Sequence, residues 1–157
     1  MDSSVPKHYQ LLLLDSDSLS ELHIRNLTQQ FDVCEVQLAQ ALSIEQGIYL
    51  LNQQRFDLIL LHYQFVTGTP GNVLEQLRGL QNIPVILFTE NEDRIADHSA
   101  ITLGAADYLV KASLSAAHLQ RALRYAIERH RIFRRKMLYK QALDAIYNGV
   151  VISDTTA

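Results

Sequence analysis

The chain has 157 residues, of which 48% are hydrophobic and 20% are charged, and these proportions exclude a disordered chain, a collagen-like repeat and a disulfide scaffold. Its single cysteine, Cys34, rules out an internal disulfide and favours a reducing, cytoplasmic setting. The net charge of −3 is unevenly distributed along the chain, because residues 119–140 hold 8 basic side chains and 1 acidic one.

Short apolar runs alternate with helical patterns along the first 128 residues. A run of about four to eight apolar residues that ends in turn-forming residues is typical of a buried strand. We therefore predict five strands, over residues 8–14, 33–38, 58–61, 85–88 and 107–110.

Helical periodicity fills the intervals between these strands. Ser18 is a candidate cap for the first helix, with Glu21 as its capping-box partner. Ser43 is a candidate cap for the second helix, and a strong turn pattern at 67–71 precedes a third helix over 73–80. A weaker helix follows over 95–103, and a long one begins at Leu114. The apolar face predicted for the first helix consists of Leu19, Leu22, Ile24 and Leu27.

The alternation of strands and helices predicts an open parallel sheet covered on both faces. Binding sites in such sheets lie at the carboxyl ends of the strands. The residues that follow the predicted strands are therefore the candidate site residues: Asp15, Ser16, Asp17, His62, Tyr63, Thr89, Glu90 and Lys111.

Four segments carry a family resemblance. They are LLLLDSD at 11–17, FDLILLHY at 56–63, IPVILFT at 83–89 and GAADYLVK at 104–111. Together, in this order, they resemble the receiver domains of two-component response regulators. The resemblance implies a receiver domain over 1–128 with a flavodoxin-like (CheY-like) α/β fold. It further implies a three-layer sandwich around a five-stranded parallel sheet of order 2-1-3-4-5, followed by an extended C-terminal helix.

The resemblance also implies roles for the candidate residues. The family holds Mg²⁺ on an acidic pair after the first strand and phosphorylates an aspartate at the end of the third. This chain has His62 at the phospho-acceptor position, and Ser16 replaces the second acid of the pair. Asp15, Ser16 and Asp17 then form a degenerate acidic pocket, in which we expect weak or lost Mg²⁺ binding, no metal site and no catalytic residue.

The remaining site positions match the family. Thr89 and Lys111 stand where the family contacts the phosphoryl oxygens, and Tyr108 stands at its switch aromatic. We expect Lys111 to pair with Asp15, within about 6 Å, because a buried ammonium needs an anion. His62 is interpreted as a packed or hydrogen-bonded residue, with a phosphoryl-accepting role as the alternative.

The basic segment predicts a helical connector over 129–148. A spacing typical of coiled coils links Leu119, Leu123, Ala126, His130, Phe133 and Met137. The residues from Leu143 to Asp154 are similar to the entry into a PAS sensor domain, which predicts a strand from Val150. Residues 149–157 are therefore interpreted as the truncated start of a PAS-like domain in a longer protein.

The leading functional hypothesis is a degenerate receiver, not an enzyme, that regulates a fused output domain in two-component signalling without aspartyl phosphorylation. It would form a homodimer through residues 93–125 and the C-terminal helix, with a histidine kinase as a possible partner. No nucleic-acid partner is expected, because the basic helix has no helix-turn-helix partner and no aromatic stacking platform. No membrane partner is expected, since no apolar run approaches the about 20 residues of a membrane span. The alternatives are a receiver phosphorylated at a non-standard residue and a small-molecule-binding flavodoxin-like domain.

Overall fold

The computed structural model describes the backbone of residues 7–66, 72–91, 102 and 104–156, and the side chains of these residues except 72 and 149–156. The predicted turn over 67–71 and most of the predicted helix over 95–103 lie outside the described residues. Four α-helices and five strands are described: β1 (Lys7–Leu14), α1 (Ser18–Thr28), β2 (Cys34–Ala41), α2 (Ile44–Gln53), β3 (Leu58–His62), α3 (Asn72–Leu80), β4 (Val85–Thr89), β5 (Asp107–Val110) and α4 (Ala116–Thr156).

The five strands form one parallel sheet in the order β2-β1-β3-β4-β5, which confirms the predicted fold and strand order. The central strands are apolar because helices cover both faces of the sheet. Leu11 and Leu13 contribute to the core on one face, whereas Leu12 and Leu14 contribute to the core on the other. This alternation follows from the two-residue period of a strand.

The N-terminus of α1 differs from its prediction in two respects. Asp17, rather than Ser18, is the N-cap, and its Oδ1 accepts a hydrogen bond of 2.9 Å from the backbone N–H of Leu19. Leu19 and Leu22 are 68% and 54% exposed. The other two residues of the predicted face do pack inwards, since Ile24 is buried in the core and Leu27 packs against it. The buried side of α1 presents Ser20, Ile24 and Thr28, at the four-residue spacing of a single helix face.

The start of α4 is set by Ser115, whose Oγ accepts from the His118 backbone N–H at 3.1 Å. The helix therefore begins at Ala116, two residues after the predicted start. Leu119, Leu123 and Ala126 are buried in the core beside the sheet. The first three positions of the predicted coiled-coil seam are thus occupied by packing within the domain.

The strand predicted from Val150 is wrong, because α4 continues through Gly149 to Thr156. A lone strand there would leave its backbone N–H and C=O groups without partners, whereas a helix pairs them within the segment.

The chain divides into two compact units, Met1–Ile127 and Glu128–Ala157. Among the described residues, no helix is long and apolar enough to cross a membrane.

Candidate functional site

The carboxyl edge of the sheet brings the predicted site residues together. His62 ends β3 and Thr89 ends β4, while Asp15 and Lys111 directly follow β1 and β5. The parallel register pairs His62 with Phe88 and Thr89 with Val110, so these strand ends lie side by side.

Asp15 lies at the centre of this edge and is 1% exposed. Its Oδ1 accepts a hydrogen bond of 3.0 Å from the Asp17 backbone N–H, and its Oδ2 accepts one from the Ser20 hydroxyl. These donors replace the hydrogen bonds to water that the Asp15 carboxyl group loses on burial.

Lys111 supplies the positive charge of the site. Its side chain is 10% exposed, and its Nζ lies 3.6 Å from Asp15 Oδ2, which confirms the predicted pairing. Nζ also lies 2.8 Å from Glu90 Oε1 and donates to the Ser20 hydroxyl. Ser20 therefore accepts from the ammonium and donates to Asp15, which links cation and anion through one hydroxyl.

Glu90 and Ser20 are the site residues whose role the sequence analysis missed. The position of Glu90 after a predicted strand makes it a candidate site residue, but nothing in that position indicates that its carboxylate turns towards Lys111. Ser20 lies on the buried side of α1, five residues after Asp15. A serine on the sheet-facing side of the first helix is the feature that could have indicated it.

His62 is held in a defined orientation at the end of β3. Its Nδ1 accepts a hydrogen bond of 3.1 Å from the Gln64 backbone N–H, and its ring meets the Phe88 ring edge to face at 5.0 Å. Its Nε2 lies 3.7 Å from Glu90 Oε1. Because Nδ1 is an acceptor, the proton of the neutral ring is on Nε2.

Burial lowers the pKa of His62 below its usual value of 6.5, since a charged imidazolium would lose hydration there. The carboxylates of Asp15 and Glu90 act in the opposite direction, and the Lys111 ammonium adds to the lowering. The neutral ring is therefore the favoured form near pH 7.

Ser16 and Asp17 are at the rim of the site. Ser16 Oγ accepts a hydrogen bond of 2.7 Å from the Gln64 side-chain amide. The Asp17 carboxylate is engaged as the N-cap of α1. Gln40 holds this loop by donating to the backbone carbonyls of Asp15 and Asp17 at 3.2 and 3.0 Å.

The Thr89 and Tyr108 hydroxyls are 3.0 Å apart. Thr89 Oγ1 also lies 2.7 Å from the Asn91 carbonyl oxygen, to which it donates its only hydroxyl proton. The Tyr108 hydroxyl is therefore the donor towards Thr89. This bond holds the half-buried Tyr108 ring on the β4 side of β5, where it packs against the core.

Residues 11–124 match the model of the response regulator receiver domain. This chain belongs to the response regulator receiver domain family. The match includes every site residue described above, and it places the chain among the signalling domains of two-component systems. Receiver domains interact with histidine kinases and with output domains, and they are generally signalling domains rather than enzymes.

One relative of this receiver is the transcriptional regulatory protein AfsQ1 of Streptomyces coelicolor (strain ATCC BAA-471 / A3(2) / M145). It is 35% identical over 102 residues, which cover 64% of this chain and 43% of the relative. The receiver thus spans less than half of that relative.

Solved structures share the fold of this receiver at lower identity. A response regulator receiver domain protein from Clostridium thermocellum is 21% identical with a TM-score of 0.65, covering 80% of this chain and 98% of that one. The N-terminal domain of a response regulator/sensory box/GGDEF 3-domain protein from Carboxydothermus hydrogenoformans is 16% identical with a TM-score of 0.64, covering 82% and 98%.

Proposed function

We propose that this receiver domain regulates a fused output domain through protein–protein contacts, without phosphorylation of an aspartate. The observation that carries the proposal is the state of Lys111. Its ammonium already has two anionic partners within the chain, Glu90 at 2.8 Å and Asp15 at 3.6 Å. A phosphoryl group is not needed to balance its charge.

The donor set at the site does not fit the magnesium ion that the resemblance implies. Mg²⁺ requires oxygen ligands in a near-octahedral array. Ser16 supplies a hydroxyl bonded to Gln64 where the family has a carboxylate, and His62 supplies a nitrogen. A route of phosphoryl transfer through Mg²⁺ therefore lacks its ligands here.

Acetyl phosphate with Mg²⁺, followed by intact-mass spectrometry, tests the proposal. We expect no phosphorylated species from the native chain. The matched control is the double variant Ser16→Asp with His62→Asp, in which Mg²⁺ binding should return because the scaffold is otherwise that of a receiver. A gain of one phosphoryl group by the native chain would contradict the proposal.

Phosphorylation at His62 is the alternative that this experiment also addresses. The lone pair of His62 Nδ1 is engaged by the Gln64 N–H, and Nε2 carries the proton. Neither nitrogen is therefore a free nucleophile in this arrangement. Acid-labile phosphate that disappears in His62→Ala would support the alternative.

We further infer a homodimer formed through residues 93–125 and the C-terminal helix. Support comes from the large apolar side chains that α4 exposes beyond residue 128: Ile132, Phe133, Met137, Leu138, Tyr139, Leu143, Ile146 and Tyr147. Sedimentation velocity should show a dimer for the native chain and a monomer for Leu138→Glu combined with Ile146→Glu. A native chain that stays monomeric at high concentration would contradict this inference.

A PAS-like domain fused after the connector is the third part of the proposal. Its support is the sequence similarity of residues 143–154 to a PAS entry, in which α4 takes the place of the expected strand, together with the sensory box named for the similar Carboxydothermus protein. Translating the coding sequence beyond codon 157 tests it, and an unrelated continuation or a stop codon would contradict it.

A further inference from the structure

The site holds a group of mixed nitrogen and oxygen donors that the receiver family does not use together. Asp15, His62 and Glu90 each offer one ligand atom, and these three atoms lie within 4.8 Å of one another. Within residues 7–66, 72–91, 102 and 104–156, this is the one such group of three. We propose that Asp15, His62 and Glu90 bind a transition-metal dication such as Zn²⁺ or Co²⁺.

The donor types determine the class of metal. Imidazole nitrogen combined with carboxylate oxygen suits Zn²⁺ and Co²⁺, whereas Mg²⁺ takes oxygen ligands. Because this chain has His62 where the family has its phospho-accepting aspartate, the edge of the sheet prefers a different metal. This difference does not simply remove metal binding from the site.

One of the three separations between ligand atoms is close to that of a small-metal site. Bonds of about 2.1 Å in a tetrahedral site place two ligand atoms about 3.4 Å apart. His62 Nε2 and Glu90 Oε1 are already 3.7 Å apart. Asp15 is fixed by its burial and His62 by Phe88, whereas the Glu90 side chain is 54% exposed and has the freedom to close the site.

Two changes in the surroundings accompany coordination. The Lys111 ammonium, now 2.8 Å from Glu90, withdraws when the metal supplies the positive charge. The proton on His62 Nε2 moves to Nδ1, so the bond from the Gln64 N–H is given up. Gln64 is exposed, so that N–H gains water as its replacement partner.

The proposal goes beyond the proposed function, because the donor set is present whether or not the receiver is ever phosphorylated. Bound metal would tie the ends of β1, β3 and β4 together. It would therefore make the conformation of this edge sensitive to metal concentration.

Titration of the untagged full chain with Co²⁺, followed by the visible absorption of the bound ion, tests the proposal. We expect one equivalent of Co²⁺ in a low-symmetry site, displaced by one equivalent of Zn²⁺ and not by excess Mg²⁺. Removal of a ligand in His62→Ala or Glu90→Gln should weaken binding by at least about tenfold. The matched control is His8→Ala, which removes an exposed histidine 3.1 Å from Glu35 at the opposite end of β1 and should leave binding unchanged.

Three results would overturn the proposal: no Co²⁺ spectrum, equal binding by native chain and His62→Ala, or displacement by Mg²⁺ as readily as by Zn²⁺. Circular dichroism of each variant distinguishes loss of a ligand from loss of the fold. These outcomes are independent of the acetyl phosphate experiment.

Discussion

The carboxyl edge of the sheet and the exposed part of α4, residues 128–148, place charge in opposite surroundings. At the sheet edge, Lys111 and Asp15 are 10% and 1% exposed, and each has named partners. On the helix, the basic side chains are exposed and largely solvated. A buried charge needs a designated partner because it has lost its water, whereas an exposed one does not. Substitutions should therefore have large effects at the edge and small ones on the helix.

The largest contrast is expected within α4 itself. Leu123 is 0% exposed and Leu138 is 60% exposed. Leu123→Ala should lower the free energy of unfolding by about 2–5 kcal/mol, because it leaves a cavity in the core. In the monomer, Leu138→Ala should change it by less than about 0.5 kcal/mol, since this side chain is largely exposed within the single chain. Urea denaturation at a protein concentration that keeps the chain monomeric measures both. Equal losses under these conditions would mean that another part of the same chain covers Leu138.

Lys111→Met should lower the free energy of unfolding by about 3 kcal/mol, because Asp15 stays buried without its cation. Adding Asp15→Asn should recover part of this loss by removing the uncompensated charge. Arg134→Met on the helix is the control and should change stability by less than about 0.5 kcal/mol. A Lys111 effect no larger than that of the control would contradict the pairing.

The N-cap of α1 is expected to have a smaller effect. Asp17→Ala removes the acceptor for the Leu19 N–H and should reduce stability by about 1 kcal/mol. Ser18→Ala, one position later, should cost less than about 0.5 kcal/mol. Thermal unfolding of the two variants compares their losses of stability. A larger loss of stability for Ser18→Ala would mean that Ser18 is the N-cap.

The smallest effect concerns pH. The pKa of His62 in the folded chain is lowered from 6.5, so the unfolded chain binds more protons just below that pH. The stability contributed by neutral His62 is present above pH 6.5 and decreases as the pH falls towards the folded-state pKa. His62→Gln should therefore flatten the pH dependence of stability in this window. Urea midpoints measured at several pH values check it, and an unchanged slope would contradict it.

The strands were predictable because apolar runs and polar ends are local features. Leu58 to Leu61 identify β3 without any knowledge of its neighbours, and β5 was predicted with the bounds that the structure has. The ends of the predicted strands supplied the positions of Asp15, His62, Thr89 and Lys111, and the family resemblance supplied the strand order and the roles of these residues. The burial of Leu19 and Leu22 was predicted wrongly, because their spacing is compatible with a helix face that the sheet does not cover.

By itself, the sequence determined the alternation of elements and the residue types at the strand ends. The tertiary structure decided which of those side chains meet. Glu90 at Lys111, Ser20 at Asp15 and the Gln64 N–H at His62 are contacts set by sheet register and side-chain rotamers. Lys111 also donates to Ser20, which lies 91 positions away, and only the packing of α1 and β5 into the same core brings them together. The nearer contacts depend on individual side-chain torsion angles, which the residue types alone do not set.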